Sequence, residues 1–146
     1  SCCASGAASV GSDEATIQKM KLFGEKVGIA FQIKDDLFDY GEDEIGKPLG
    51  IDIKEKKMTL PLIYALRNAD WLEKKKIMYL IRNRSEDKKS VNEVISFVKK
   101  SGGLDYAKQK MTEFYQEALA LLVHFPDSTY KSSLRDLVLY SIERKK

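Results

Sequence analysis

The sequence has little of what several common classes of protein need. Its two cysteines, Cys2 and Cys3, are adjacent and cannot join distant segments, so we expect a reduced, cytoplasmic protein. A single histidine, His124, excludes most histidine-based catalysis. The longest apolar runs, 60–66 and 118–123, are too short to cross a bilayer, and we expect no transmembrane segment.

The sequence also lacks a strong excess of charge of one sign. It has 25 basic and 22 acidic residues, and the lysines are interleaved with acids along the chain. Proteins that bind nucleic acid usually concentrate basic residues on one face, so we expect no nucleic-acid partner. The first residues lack the basic and apolar regions of a secretory signal, and the chain does not begin with Met, so we expect a piece of a longer protein.

Apolar residues instead recur at three- and four-residue spacing through most of the 146 residues, which predicts an all-α fold. Ser12 is the expected N-cap of a long helix over residues 13–40. Residues 41–58 contain three glycines and a proline and predict a long irregular loop. The later helices are expected to follow Thr59 (with Pro61 in the first turn), Asp70, Ser85 or Asp87, the run Ser101-Gly102-Gly103, and Pro126.

Three acids lie in the last turns of the first long helix: Asp35, Asp36 and Asp39. Each costs about 0.3–1 kcal/mol there, because the helix dipole favours cations at this end, and such local conflicts concentrate at functional sites. Asp35 and Asp39 are one turn apart on one face, and Asp36 lies about 100° away. Clustered carboxylates suit Mg²⁺, which takes one or two of them together with waters and phosphates. For the motif alone, a solvated acidic helix end with Lys34 as its partner is the favoured alternative.

The surroundings of these acids change that balance. Gly24 and Gly28, followed by Phe31 and Gln32, continue the acidic face toward the N-terminus and predict the wall of an apolar groove. The predicted loop carries lysines, among them Lys47 and Lys57, whose ammonium groups neutralise phosphate well. Together these features predict a site for a diphosphate ester with an apolar tail.

The residues Phe-Gln-Ile-Lys-Asp-Asp-Leu-Phe-Asp-Tyr at 31–40 resemble the second aspartate-rich motif of the trans-isoprenyl (polyprenyl) diphosphate synthases. Residues 46–66 resemble the loop and helix that follow this motif in the family, and within it the chain looks most like bacterial long-chain, octaprenyl-type enzymes. The resemblance implies that residues 1–146 are the C-terminal part of an isoprenoid-synthase helical bundle, with the N-terminal half and its first aspartate-rich motif absent.

The function implied by the resemblance is that of a prenyltransferase, which condenses an allylic diphosphate with isopentenyl diphosphate after Mg²⁺-assisted loss of diphosphate. By position, it implies Mg²⁺ binding by Asp35, Asp36 and Asp39, diphosphate binding by Lys47 and Lys57, and substrate contacts by Phe31 and Gln32. Catalysis would rest on Asp35 and the two lysines. For Phe31, packing in the core is a close alternative.

We expect this chain alone to be inactive and to associate as a homo-oligomer, most simply a dimer, because half of a helical bundle leaves apolar faces open. Two other functions stay open from the sequence. One is a class I terpene cyclase-like lyase, which shares the departure of diphosphate. The other is a non-catalytic helical subunit of a heteromeric prenyl synthase.

Overall fold

The computed structural model describes residues 1–41 and 49–143, and within them it contains eight α-helices and no strand. This confirms the all-α prediction. The helices are α1 (Cys2–Ser9), α2 (Glu14–Phe38), α3 (Ile51–Lys54), α4 (Leu60–Asn68), α5 (Trp71–Asn83), α6 (Lys88–Lys100), α7 (Gly103–Leu122) and α8 (Thr129–Glu143). Within the same residues, no helix is both long enough and apolar enough to span a membrane.

Short acidic side chains begin several of these helices. Asp70 accepts a hydrogen bond from the N–H of Glu73 at the start of α5, and Asp87 caps α6, as the sequence predicts. At α2 the expected cap, Ser12, is wrong: the Asp13 carboxylate accepts a 2.7 Å bond from the N–H of Thr16. Asp13 is the residue placed three positions before a free amide of the first turn, which is the spacing that a capping side chain needs.

Of the loop predicted over residues 41–58, residues 42–48 lie outside the described part of the chain, and the described remainder contains the one-turn helix α3. Gly50 precedes α3 at φ +75°, a backbone conformation that disfavours side chains. A Cβ at this position would also collide with Cγ1 of Val91 on α6. The chain therefore needs glycine here both for its conformation and for the close approach of α6.

The chain divides into two compact units, and the first comprises residues 1–32 and 110–145. Its core is a cluster of Phe23, Ala118, Leu122 and Val138. In this unit α1 packs on α2 at Gly24, which has no side chain. A Cβ on Gly24 would lie 3.0 Å from Sγ of Cys3, so the small residue lets the two helices approach closely.

The second unit contains residues 33–109. Here α6 contacts α3, α4 and α5, and its apolar face is buried through Val91, Val94 and Val98. Apolar residues at this three- and four-residue spacing give one stripe along the helix, which is why a single helix can hold three others together. Tyr64 of α4 also stacks on Tyr106 of α7, with ring centroids 4.2 Å apart.

Candidate functional site

The three acids predicted as a metal site lie where α2 ends. Asp35 and Asp36 are in its last turn, and Asp39 is the first residue after it. The chain leaves the helix through bonds between residues three apart, from the N–H groups of Asp39 and Tyr40 to the carbonyls of Asp36 and Leu37. All three acidic residues are half-buried. The helix end therefore carries the acids as predicted, although Asp39 lies just beyond the last regular turn.

Asp39 makes contacts that its sequence position does not suggest. Its carboxylate accepts hydrogen bonds from the N–H groups of Ile51, at 2.7 Å, and Asp52, at 3.1 Å, and its carbonyl accepts one from Gly50. These amides are the free donors at the start of α3, whose own N-cap, Gly50, has no side chain to offer them. Asp39 therefore caps a helix that begins twelve residues later.

Burial raises the pKa of the Asp39 carboxyl above its usual value, because it disfavours the charged form. The neighbouring Asp52 carboxylate acts in the same direction, and the hydrogen bonds from the amides of Ile51, Asp52 and Gly50 oppose both effects. The ionised form of the Asp39 carboxyl is therefore less favoured here than in water.

Tyr40, next to Asp39, is fully buried and its phenol oxygen lies 2.6 Å from the hydroxyl oxygen of Thr59. Thr59 precedes α4, and it makes no capping bond with its side chain. Burial raises the pKa of the Tyr40 phenol well above its usual range. This pair joins the end of α2 to the start of α4, on either side of the lysine-bearing segment predicted to bind diphosphate.

The structure describes only one of the two lysines predicted to bind diphosphate. Lys47 lies outside the described residues. The Lys57 ammonium is paired with the carboxylates of Glu55, at 2.7 Å, and Asp52, at 3.1 Å, and both partners raise its pKa. Lys57 is exposed, and ion pairs of this kind contribute little to stability, so an incoming phosphate could replace them at low cost.

The predicted groove face of α2 is open in one part and covered in another. Phe31 and Gln32 are exposed, so the alternative of a buried core position for Phe31 is not what the structure has. A Cβ on Gly28 would meet nothing within 4 Å, whereas Gly24 is covered by Cys3 of α1. On the face expected to form a groove wall, Gly28, Phe31 and Gln32 are thus exposed among the described residues, and Gly24 is covered.

The lysine offered as a partner for the acids, Lys34, has its ammonium 4.7 Å from the centre of the Phe38 ring. Such a cation–π contact contributes about 0.5–1 kcal/mol at an exposed site. In the part of the chain that the structure describes, acids, histidines and cysteines form no group of three arranged to hold a metal ion. An ion bound near Asp35 and Asp36 would therefore need ligands from elsewhere, such as the oxygens of a diphosphate.

The fold and the motif thus define an all-α protein with an aspartate-rich helix end, followed by a lysine-bearing segment that is tied to this end by hydrogen bonds. A sequence profile of the polyprenyl synthetase family matches residues 1–98. The chain belongs to this family.

Individual relatives agree with this assignment. The chain is similar to the all-trans-nonaprenyl-diphosphate synthase of Rhodobacter capsulatus, with 35% identity over 95% of the chain and 43% of that protein. It is similar to heptaprenyl diphosphate synthase component 2 of Geobacillus stearothermophilus, with 32% identity over 94% of the chain and 42% of that protein. The chain thus spans less than half the length of these curated relatives.

Solved structures show the same likeness. Geranylgeranyl pyrophosphate synthase of Bacteroides thetaiotaomicron matches with a TM-score of 0.86 and 36% identity, over 98% of this chain and 48% of that one. A polyprenyl synthase of Caulobacter crescentus, solved with calcium and isoprenyl diphosphate, matches with a TM-score of 0.84 and 29% identity, over 98% and 44% of the two chains.

Proposed function

We propose that residues 1–146 are the C-terminal part of a trans-polyprenyl diphosphate synthase, and that they supply one half of its active site. The observation that carries the proposal is that an acid of α2's end and a lysine of the following segment are connected. The Asp39 carboxylate accepts hydrogen bonds from the amides at the start of α3, and the carboxylate of Asp52 in α3 pairs with Lys57. The family match over residues 1–98 and the names of the relatives support it. The first aspartate-rich motif would come from the rest of the polypeptide or from another chain.

The acidic residues fit a divalent cation, which we take to be Mg²⁺. Asp35 and Asp36 are half-buried carboxylates on the last turn of a helix, and Mg²⁺ usually takes only one or two such groups. Asp39 accepts two amide hydrogen bonds, but a carboxylate offers about four acceptor positions, so it retains capacity for an ion. When bound, the ion stabilises the negative charge that grows on the departing diphosphate.

The residues of this chain would serve the reaction in three ways. Lys57 would exchange its carboxylate partners for the diphosphate oxygens, and Lys47 would bind the same oxygens by the family resemblance, as the allylic C–O bond breaks and its electron pair leaves with diphosphate. Phe31 and Gln32 would border the hydrocarbon. The double bond of isopentenyl diphosphate would then form the new C–C bond, and loss of a proton would restore a double bond. An apolar wall excludes the water that would otherwise capture the cation.

A second candidate function has its own support. Two relatives, from Geobacillus stearothermophilus and Bacillus subtilis, are named heptaprenyl diphosphate synthase component 2, and a numbered component implies a second one. We therefore propose, as the alternative, that the chain belongs to a heteromeric synthase. The two candidates differ in whether the complete polypeptide needs a separate partner for turnover.

The test has two parts. Calorimetry measures binding of inorganic diphosphate with Mg²⁺ to the 146-residue chain, to Asp35→Asn, and to Asp105→Asn as a control that removes an exposed acid from α7. We expect weak binding that Asp35→Asn abolishes and the control keeps. Transfer from labelled isopentenyl diphosphate should need the rest of the polypeptide. Multiple turnover by the 146-residue chain alone, or binding unchanged in Asp35→Asn, would contradict the proposal.

A further inference from the structure

The segment that carries Lys57 begins with α3, a helix of only four residues that has no capping side chain of its own. Its N-cap is Gly50, and helices this short do not form alone in water, because too few hydrogen bonds offset the cost of ordering the backbone. The first amides of α3 therefore need partners from outside the helix. In the structure these partners belong to Asp39, a residue predicted from the sequence to bind metal.

Both oxygens of the Asp39 carboxylate contact α3. One accepts a 2.7 Å hydrogen bond from the N–H of Ile51, and the other accepts a 3.1 Å bond from the N–H of Asp52. The carbonyl of Asp39 accepts a 3.0 Å bond from the N–H of Gly50. Three successive amides therefore bind one acidic residue, and its carboxylate lies at the N-terminus of a helix, where a negative charge is stabilising.

The backbone of α3 connects this contact to Lys57. The N–H of Asp52 is bound by Asp39, and the carbonyl of Asp52 accepts a 2.8 Å hydrogen bond from the N–H of Lys57. Because Lys57 makes this bond with its backbone, the bond does not depend on which anion its ammonium contacts. The position of Lys57 therefore follows from the position of residues 51–57, whose first amides Asp39 holds.

The apolar contacts of α3 do not replace this contribution of Asp39. Ile53 is buried, and α3 contacts α6, so one side of the helix packs on the core of its unit. Such packing gives no hydrogen-bond partner to the first amides of the helix, and leaving them without one is unfavourable. A metal ion could not take over either, because a cation does not accept hydrogen bonds.

We propose that Asp39 is a positioning residue of the diphosphate site: it holds residues 51–57, and with them Lys57, where the diphosphate binds, whereas metal binding rests on Asp35 and Asp36. This inference rests on the proposed function and divides the three acids between two roles. Asp35 and Asp36 lie within the last turn of α2, and Asp39 lies beyond it with both carboxylate oxygens bound to amides. An ion could reach Asp39 only through the acceptor positions that remain.

Two substitutions of Asp39 separate these roles. Asn is among the best N-cap residues, because its side-chain oxygen accepts an amide hydrogen bond, but it lacks the carboxylate that Mg²⁺ prefers. Ala can neither cap a helix with its side chain nor bind an ion. A positioning role therefore predicts that Asp39→Asn resembles the wild type more than Asp39→Ala does, whereas a role in metal binding predicts equal impairment of the two variants.

Two measurements on the 146-residue chain test this prediction. Hydrogen exchange, read by mass spectrometry for residues 51–57, reports how often α3 opens when no ligand is present. Exchange should be faster on the order of tenfold in Asp39→Ala and within about threefold of the wild type in Asp39→Asn, since a cap contributes about a factor of ten. Calorimetric binding of inorganic diphosphate with Mg²⁺ should weaken in the same order, and raising the Mg²⁺ concentration should not restore it in Asp39→Ala.

Asp13 provides a matched control, because its carboxylate accepts a 2.7 Å bond from the N–H of Thr16 at the start of α2, in the other compact unit. Asp13→Ala therefore removes a cap of the same kind at a place remote in sequence from α3. Exchange of residues 51–57 and diphosphate binding should both stay within about twofold of the wild type in this variant. A general loss of stability would instead affect the two Ala variants alike.

Several results would overturn the inference. They are equal impairment of Asp39→Asn and Asp39→Ala, restoration of Asp39→Ala by Mg²⁺, unchanged exchange in Asp39→Ala, and faster exchange in that variant with unchanged diphosphate binding. Failure of the proposed function looks different, because Asp35→Asn would then bind diphosphate like the wild type. A wild type that binds no diphosphate would contradict the proposed function and, with it, the placement of Lys57 for that ligand.

Discussion

The buried hydrogen bond between Tyr40 and Thr59 offers a sharp test of how the two ends of the lysine-bearing segment are held. Tyr40→Phe removes the phenol oxygen and keeps the ring. The Thr59 hydroxyl then loses a partner 2.6 Å away, in a place where the residue is only 5% exposed. A buried polar group without its partner costs about 1–3 kcal/mol. Thr59 can recover part of this, because it precedes α4 and can turn its oxygen toward a free amide of the first turn.

The two single variants should therefore be unequal. We expect Tyr40→Phe to lower the free energy of unfolding by about 1 kcal/mol, near the low end of that range. Thr59→Val should cost about 2–3 kcal/mol, because it leaves the fully buried phenol of Tyr40 without its hydrogen-bond partner. The double variant leaves neither group unpaired, so it should cost less than the sum of the two by about 1 kcal/mol or more.

Urea unfolding followed by circular dichroism measures all four proteins of this cycle. Tyr130→Phe is the matched control: Tyr130 is 81% exposed, and its hydroxyl should contribute less than about 0.5 kcal/mol. Additive single effects would refute the reasoning, because they would mean that the two hydroxyls do not depend on each other. A larger effect of Tyr40→Phe than of Thr59→Val would show that Thr59 finds no second partner.

Three further predictions follow from the geometry. In denaturant titrations, Gly50→Ala should lower the free energy of unfolding by about 2–4 kcal/mol and Gly11→Ala by only about 1 kcal/mol. Both glycines have φ above +70°, but only at Gly50 would the added methyl group collide with a helix, α6. Equal losses would contradict the close approach of α6 to Gly50. Because the pKa of Asp39 is raised in the folded state, its contribution to stability is fully present below the ordinary carboxyl pKa and is lost as the pH rises through the pKa of the folded state. The free energy of unfolding, measured across acidic pH, should show this decrease in the wild type and not in Asp39→Asn. The same pH dependence in both proteins would refute the assignment. In the complete polypeptide, Asp35→Ala should lower turnover by orders of magnitude while Lys54→Ala changes it little, as steady-state kinetics across a Mg²⁺ titration would reveal; near-normal rates for Asp35→Ala would exclude it as a metal ligand.

The sequence allowed the helices to be predicted wherever their signals are local. Asp70 and Asp87 begin helices because a short acidic side chain reaches an amide two or three residues ahead, and that spacing can be read from the sequence. Pro61 marks the first turn of α4 for an equally local reason. The N-cap predicted at Ser12 was wrong by one residue, because Asp13 makes the capping bond.

The features that were missed depend on contacts between distant residues. The helix α3 has only four residues, and its cap is Asp39, twelve positions earlier. The hydroxyl of Thr59 looked like a local cap, yet it bonds to Tyr40, nineteen positions away. No pattern within a few residues contains that information. The roles given to Asp35, Lys47 and Lys57 stay predictions, because they concern groups that a diphosphate and an ion would bring together.

The packing of α1 on bare backbone at Gly24 has a consequence for thiol chemistry. Cys2 and Cys3 are neighbours in the chain, but Cys2 is exposed while Cys3 is half-buried with its sulfur against Gly24. An alkylating reagent should therefore modify Cys2 freely and Cys3 more slowly, at a rate set by how often α1 leaves α2. Because both thiols fall in the same peptide, their ratio in one mass spectrum reports the local opening of this helix with its own internal reference.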